Sequence, residues 1–358
     1  MRRRGPAGVD EPPELAPWAV MPWDVFMVAR PAVVVGAGIA GVACARALRS
    51  AGVPVTVLDR GRRVGGRMAL RRERLRGGER VVDIGASYFT VSDPGFAAVA
   101  ADWRSRGLAR EWTDTLTVLN ADDPAPELAQ GPVRWAAPGG LRSLVEDLAE
   151  GLDVTGEHEV EQVDGDGDEP AVDGEAAAAV VLAMPQPQAA DLLPDPLIER
   201  LGLEPGLEWD PTLTVWAGWD ERWWDERLDG AFVQNSAVVD RIADDGRRRG
   251  DGAPVLVVHS TPAYAATWLD DPDGGIPGVL AELGRLLGAG APPEPEFAKA
   301  RRWSLASPCA PQDRPFALDA ATLIGVCGDA WGSKPRVEQA WVSGDALGRT
   351  LAERLADR

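Results

Sequence analysis

The sequence predicts an α/β fold: a Rossmann-like unit on a parallel sheet, interleaved with an α+β unit on an antiparallel sheet. Three observations carry that expectation. A short apolar run at 32–35 opens onto a glycine turn, a helix and a second apolar run that ends in an acid. Val180–Pro185 and Leu323–Cys327 read as further strands of the same parallel sheet. Residues 191–317 between them hold alternating strand patterns and seven of the chain's 14 tryptophans.

The first unit is the most legible. Ala32–Val35 reads as a buried strand, Gly36, Gly38 and Gly41 as the turn GAGIAG, Gly41–Ser50 as helix and Val53–Leu58 as a second strand. Asp59 closes it, 18 residues beyond Gly41, a spacing that fits a dinucleotide fingerprint. Gly36 permits the tight turn, Gly38 admits a pyrophosphate to the backbone, and Gly41 lets the helix pack close. The helix N-terminus, with Ile39 and Ala40, supplies partial positive charge for phosphates. Asp59 accepts both ribose hydroxyls and disfavours a 2′-phosphate. The alternative, a mere tight turn, explains neither the acid nor the strand that precedes it. Arg60-Gly-Arg-Arg-Val-Gly-Gly-Arg67 follows directly. Arg60, Gly65, Gly66, Arg67 and Met68 are candidates to carry more cofactor contacts, whereas Arg62, Arg63, Arg71, Arg72, Arg74 and Arg76 read as a solvated face.

Further along, Leu141, Leu144, Val145 and Leu148 mark a helix, and Val154–Glu175 reads as an acidic antiparallel meander. Thr212–Trp216 and Phe232–Val238 alternate as strands, and Val255–His259 is a more continuously buried run. Most tryptophans of this region suit core or rim, with one or two left to line a planar-substrate pocket. His259 closes its strand; as a base it needs a pKa near neutrality, and otherwise it is a packed histidine bonded to backbone. Trp303 joins it as a catalytic candidate, and Tyr88 is a further one only by what a family resemblance implies, being equally suited to the core. Asp329 after Gly328 reads either as a loop N-cap or as a ligand contact. A helix is expected from Arg336 to about Glu353, packing Val337, Ala340, Trp341 and Leu347.

Composition excludes several classes of function. The 358 residues, 45 % hydrophobic, suffice for roughly two domains and exclude a largely disordered chain. No apolar run reaches the ~18 residues of a membrane span. With 56 acids against 37 bases the net charge is −19, which argues against nucleic-acid binding. The charge is uneven: residues 31–80 hold 11 Arg and 3 acids, whereas 151–296 hold 31 acids and 8 Arg. Lys299 and Lys334 are the only lysines beside 35 arginines, as GC-rich codon usage produces. Cys44, Cys309 and Cys327 form no CxxC, and His158 and His259 are the only histidines. Neither a disulfide framework nor a His/Cys metal centre fits, and a reducing cytoplasm is expected. Residues 1–26 are proline-rich and read as a disordered tail, with Met27 as a candidate start. A second glycine fingerprint, a redox dithiol and a nucleophile triad are all missing from the pattern.

GAGIAG…VLDRGRRVGGRM resembles the flavin amine oxidase superfamily, whose GGR motif contacts FAD. Gly325-Val-Cys-Gly-Asp-Ala-Trp-Gly-Ser-Lys-Pro-Arg-Val-Glu-Gln-Ala-Trp-Val-Ser-Gly344 is similar to its closing FAD motif. DIGASYFT (83–90), WAAPGGLRSLVEDLA (135–149), QNSAVVDR (234–241), VVHSTPAYAATWL (257–269) and PRVEQAWVSG (335–344) resemble the renalase-like group. The resemblance implies a discontinuous FAD-binding domain of the two-dinucleotide-binding type (27–97, 138–190 and 318–358). It implies a substrate domain at 98–137 and 191–317. Gly328 and Asp329 would then hold the ribityl chain, and Arg336, Val337 and Glu338 would bring a helix N-terminus to the flavin pyrimidine edge. Lys334 lies in the cofactor motif, so the substrate-domain lysine of many amine oxidases does not transfer to it. The implied reaction moves a hydride from a small reduced substrate, a dihydronicotinamide dinucleotide isomer, to flavin N5. Dioxygen is the implied acceptor, giving hydrogen peroxide. An amine oxidase and a non-catalytic FAD-binding scaffold or sensor are the alternatives, and monomer or dimer is left open.

Overall fold

The computed structural model describes residues 30–76, 78–165 and 169–358. The 1–26 tail and the candidate start at Met27 lie outside the described residues.

Ala32–Val35 forms the centre of a six-stranded sheet, parallel to Val55–Leu58 on one side and Val180–Leu182 on the other. Asp153–Thr155 extends one edge and Ile324–Val326 the other, while Ala317–Asp319 adds a final antiparallel strand. Val34, Val57, Val180, Val181 and Leu182 are wholly buried, as strands covered on both faces require. Three expected strands are shorter than their apolar runs. The second starts at Val55 because Pro54 has no N–H to pair. The third ends at Leu182, before the turn into helix Gln186–Ala190. The last begins only after Leu323, whose backbone is left-handed.

The helix Ile39–Ser50 starts two residues before Gly41, with Gly38 as its N-cap. The C-terminal helix runs Val337–Ala356, with Arg336 as N-cap. The two cross where glycines remove the side chains. A Cβ on Gly344 would come within 1.9 Å of the Ala40 carbonyl oxygen, and one on Gly348 within 2.5 Å of that of Cys44. Helix Pro94–Ser105 packs Phe96, Ala100 and Trp103 into the same core.

The second sheet has seven strands in the order Phe297–Pro308, Trp209–Gly218, Val255–Ser260, Val239–Asp244, Gly230–Gln234, Arg110–Asn120, Asp123–Ala136. It is antiparallel except where Gly230–Gln234 runs parallel to Arg110–Asn120, which the alternation pattern did not reveal. The expected strand Phe232–Val238 is divided. It ends at Gln234, turns through Asn235 in a left-handed conformation, and resumes at Val239. On the outer face Leu213, Val215, Ile242, Leu256 and Val258 pack against Val279 and Leu283 of helix Ile276–Leu286. On the inner face Trp216, Val255 and Val257 meet Ala69, Leu75, Val82 and Ile84 around the hairpin Leu70–Leu75/Gly78–Asp83. Trp219, Trp223 and Trp224 pack edge to face at about 5.5 Å, the core role most of this set was expected to have. The acidic meander divides: Asp153–Thr155 joins the parallel sheet, and Val163–Asp164, Ala171–Val172 and Glu175–Ala176 form a small antiparallel one. Among the described residues no helix is long and apolar enough to cross a membrane.

Gly344→Val tests the helix crossing. The added side chain meets backbone, which cannot swing aside, so the expected cost is about 1–3 kcal/mol or more. Thermal denaturation reads it as a lowered Tm.

Candidate functional site

The glycine turn is shaped by contacts that leave one face open. Gly36 has φ +109°, and a Cβ there would meet the Ala183 carbonyl oxygen at 2.6 Å. A Cβ on Gly41 would fall 1.9 Å from the Gly36 carbonyl oxygen. Gly38 is the opposite case: its Cβ would meet nothing within 4 Å. The helix that starts after it has no side-chain cap and no acid in its first turn. Its Ile39 and Ala40 side chains are buried, so what the turn offers outward is uncapped backbone, which fits a pyrophosphate.

Asp59 holds this turn together. Its Oδ2 accepts from the Ala37 N–H and its Oδ1 from the Gly61 N–H, both at 2.6 Å. The Gly65 N–H donates to Ala37 O at 2.8 Å, and Gly66, with φ +52°, lies against the Cα of Gly38. Met68 is buried, its N–H on Gly65 O, and Arg60 is exposed. A cleft of about 300 Å³ opens beside Asp59, walled by Arg62, Arg63, Val64, Glu146 and Val154. It has the place and size for an adenosine, and Arg62 and Arg63 wall it while staying exposed, as the sequence reading had them.

Arg67 and Asp329, expected to reach the cofactor separately, are brought together. Nη2 meets Oδ1 at 2.5 Å and Nη1 meets Oδ2 at 3.0 Å, while Nη1 also donates to Ala306 O at 3.1 Å. The guanidinium lies 5.4 Å from the Trp209 ring centre. Gly328 sets up the acid with φ +153° and donates its N–H to Ser343 Oγ at 3.1 Å. The pair joins the loop after the second strand, the closing motif and the edge of the seven-stranded sheet.

The C-terminal helix start differs from expectation. Glu338 is buried and accepts from Ser92 N at 2.5 Å, Ser92 Oγ at 2.7 Å and Asp93 N at 2.7 Å. Arg336 bonds the same carboxylate and the Ser92 hydroxyl, each at 3.0 Å. Their side chains thus lock the 92–93 loop to the helix, and an acid in the first turn offsets the positive end expected there. Val337 packs on the core, and Lys334 is exposed.

The three catalytic candidates converge on one segment, 84–88. Trp303 Nε1 donates to Ile84 O at 3.2 Å and to Thr214 Oγ1 at 3.1 Å. His259 Nε2 bonds Gly85 O at 2.9 Å, and its Nδ1 has no partner. Burial, with Arg241 and Arg248 nearby, lowers the His259 pKa to about 3. It is neutral at physiological pH, a packed ring rather than a group poised to exchange protons near neutrality. Tyr88 is half-buried, with the Arg134 guanidinium 5.4 Å from its ring centre. Two arginines the sequence reading passed over belong here. Arg248 is fully buried, donates to Ser87 O at 2.8 Å and Asp83 O at 3.2 Å, and pairs with Asp245. Its run Arg247-Arg248-Arg249 looks like surface charge, and nothing local reveals its partner. Arg134 is the other. Among the described residues no cluster of His, Cys, Asp or Glu is arranged to hold a metal, and the three cysteines are free.

Asp59→Ala removes the acceptor of two backbone N–H groups, and the expected loss of FAD affinity is about tenfold or more. Asp59→Asn, which keeps one acceptor oxygen, falls between; titration of apoprotein with FAD checks both. His259 gives a second prediction. The unfolded chain takes up its proton near the ordinary 6.5 and the folded chain only near 3. Stability from the neutral ring is complete above 6.5 and is lost as pH falls toward 3. His259→Gln is therefore expected to lose less stability than the parent between about pH 7 and pH 4, read by urea denaturation.

The sequence matches the NAD(P)-binding Rossmann-like domain over residues 34–103. It matches the family described as flavin containing amine oxidoreductase over residues 125–345. Solved structures of putrescine oxidase share the fold. The wild type bound to putrescine aligns with TM-score 0.64 at 17 % identity, over 92 % of this chain and 100 % of that one. A triple mutant aligns with TM-score 0.66 at 17 % identity, over 92 % and 99 %. Because the second family match spans more than half of its length, the chain belongs to the flavin containing amine oxidoreductase family and is an FAD-dependent oxidoreductase.

Proposed function

We propose that the protein is a renalase-like oxidase that takes a hydride from a dihydronicotinamide dinucleotide isomer. The carrying observation is the sign of the charge on the inner face of the seven-stranded sheet. Cross-strand register places Arg301, Thr214, His259, Arg241 and Phe232 in one row. That face turns toward the cofactor unit, since His259 and Trp303 reach residues 84 and 85 from it. Its cations oppose an amine and favour an anionic donor. The acids that make the chain negative lie elsewhere: Glu157, Glu159, Glu161, Asp220, Glu221, Asp225 and Glu226 are all exposed. Removing a hydride from a dihydropyridine leaves an aromatic cation and needs no proton acceptor, which suits a roof whose one histidine is held neutral.

In this reading residues 27–97, 138–190 and 318–358 hold the cofactor, and 98–137 with 191–317 shape the substrate side. Bound FAD supplies the hydride acceptor and returns the electrons to dioxygen, giving hydrogen peroxide. Asp59 and the turn Gly36–Gly41 hold its adenosine and pyrophosphate. Arg67 and Asp329 fix the loop and the closing motif against each other, and Trp303 with His259 keeps segment 84–88 in place. The second reading, an amine oxidase, draws on the family match and the putrescine oxidase neighbours. Against it, the substrate-side lysine, Lys299, is tied to Glu73 at 2.6 Å.

Anaerobic mixing with dihydronicotinamide isomers and with a panel of amines separates the readings. The isomers are expected to bleach the flavin and the amines to leave it oxidised. Bleaching by amines alone overturns the first reading, and a flavin reduced by neither points to a non-catalytic FAD-binding scaffold.

A further inference from the structure

Arg134 stands out among the charged groups of the inner face. It is 6 % exposed, yet no carboxylate lies within 4.0 Å of it among the described residues. Its one protein acceptor is the main-chain oxygen of Asp114, which Nη1 reaches at 3.0 Å, and its buried Nε has no partner. The Asp114 carboxylate is engaged by Gln130 at 3.1 Å and Thr115 at 2.8 Å instead. A buried cation with no carboxylate in contact is costly, because it forfeits hydration and gains in return only a longer-range attraction, here to Asp114.

Chain geometry makes this placement deliberate. Phe89 and Trp135 exchange both main-chain hydrogen bonds, at 2.8 and 3.2 Å, and send their rings together into the core, stacked at 6.0 Å. Alternation along extended chain then sends Tyr88 and Arg134 to the other side. There the guanidinium meets the Tyr88 ring at 5.4 Å and the Phe232 ring at 5.7 Å. Phe232 belongs to the inner-face row, register partner of Arg241. Both rings are only half-buried, so the aromatic walls keep an open side. Arg241 adds a half-exposed cation one strand away, itself bonded to Asp240 at 2.9 Å. The two π faces offset part of the cost of burying the charge and hold the guanidinium plane in position. Among the described residues Nη2 donates to no protein acceptor and, unlike Nε, is not sealed from solvent, so it remains for a ligand; a planar guanidinium suits the oxygens of a phosphate.

We propose that Arg134, held between Tyr88 and Phe232, is a specificity-determining residue that binds a phosphate of the donor and so selects anionic dihydronicotinamides over neutral or cationic ones. This rests on the dinucleotide reading above and adds the residue that would enforce it.

The test uses the oxidised holoenzyme and two unreactive probes, nicotinamide mononucleotide and nicotinamide riboside, which differ by one phosphate. Binding is read from the perturbation of the flavin absorbance. The mononucleotide is expected to bind about tenfold or more tightly than the riboside. Arg134→Gln removes that preference while leaving riboside binding unchanged, and Arg134→Lys, which keeps a point charge, retains part of it. Equal or undetectable binding of both probes by the parent protein overturns the proposal, as does an equal loss for both probes in the Gln variant. If the Gln variant does not fold, the parent ratio and the Lys variant decide. Failure of the dinucleotide reading is seen separately, as a flavin that dihydronicotinamides do not bleach.

Discussion

The backbone between Asp83 and Ser87 is the piece on which both halves of the molecule depend. It leaves the hairpin of the cofactor unit, passes beneath the seven-stranded sheet, and is too deeply buried for water to satisfy its carbonyls. Side chains from the sheet do so instead. Trp303 takes Ile84 O, His259 takes Gly85 O, and Arg248 takes the oxygens of both Asp83 and Ser87. An unpaired buried carbonyl costs as much as a lost hydrogen bond, so the sheet cannot slide along this segment without exposing several at once. On its other side the segment lies on the GGR loop: Ala86 N–H donates to Arg67 O at 2.9 Å, and Gly85 has no room for a Cβ beside that oxygen. Arg67 in turn holds Asp329. A chain of contacts thus runs from the sheet through 83–87 and Arg67 to the closing motif.

That arrangement concentrates ionisable groups where solvation is poor. Burial pushes the Asp83 carboxyl up to about 6, against the opposing pull of Arg248, and raises that of Asp245. Between its ordinary 3.8 and about 6 the folded Asp83 binds the proton that the unfolded one has released, so its contribution is present at low pH and lost as pH rises through 6. His259 acts with the opposite sign over an overlapping range. The two therefore cancel in part, and the seam tolerates mild acid better than His259 alone would allow.

The parts of the molecule built from local rules were legible in the sequence. The glycine turn, Asp59 and the close-packed first helix follow from backbone sterics within about thirty residues, which a single chain shows on its face. Strand ends were misjudged where Pro54 or the left-handed Leu323 interrupts an apolar run. The hairpin Arg110–Asn120/Asp123–Ala136 was missed as strands, because its bulges break the alternation that betrays a half-buried strand. Site residues divide the same way. Asp59 is read from spacing, whereas the pairing of Arg67 with Asp329 spans 262 positions and of Glu338 with Ser92 spans 246. No local signal encodes partners that distant. Arg134 and Arg248 were hidden more thoroughly, since an arginine is ordinarily a surface residue and only the fold shows it buried.

Charge segregation gives the net of −19 its meaning. Coulombic attraction between exposed groups fades over a Debye length of ~8 Å at physiological salt, so the acids of the small meander and the outer loops have little hold on a ligand inside. The inner face acts at contact distance, where a charge counts for more than one a Debye length away; of its arginines Arg134 is buried, whereas Arg241 and Arg301 keep contact with water. A few arginines there outweigh a far larger number of solvated carboxylates. In the proposed reading a substrate's charge is accordingly to be judged against Arg134, Arg241 and Arg301 rather than against the sum over the chain.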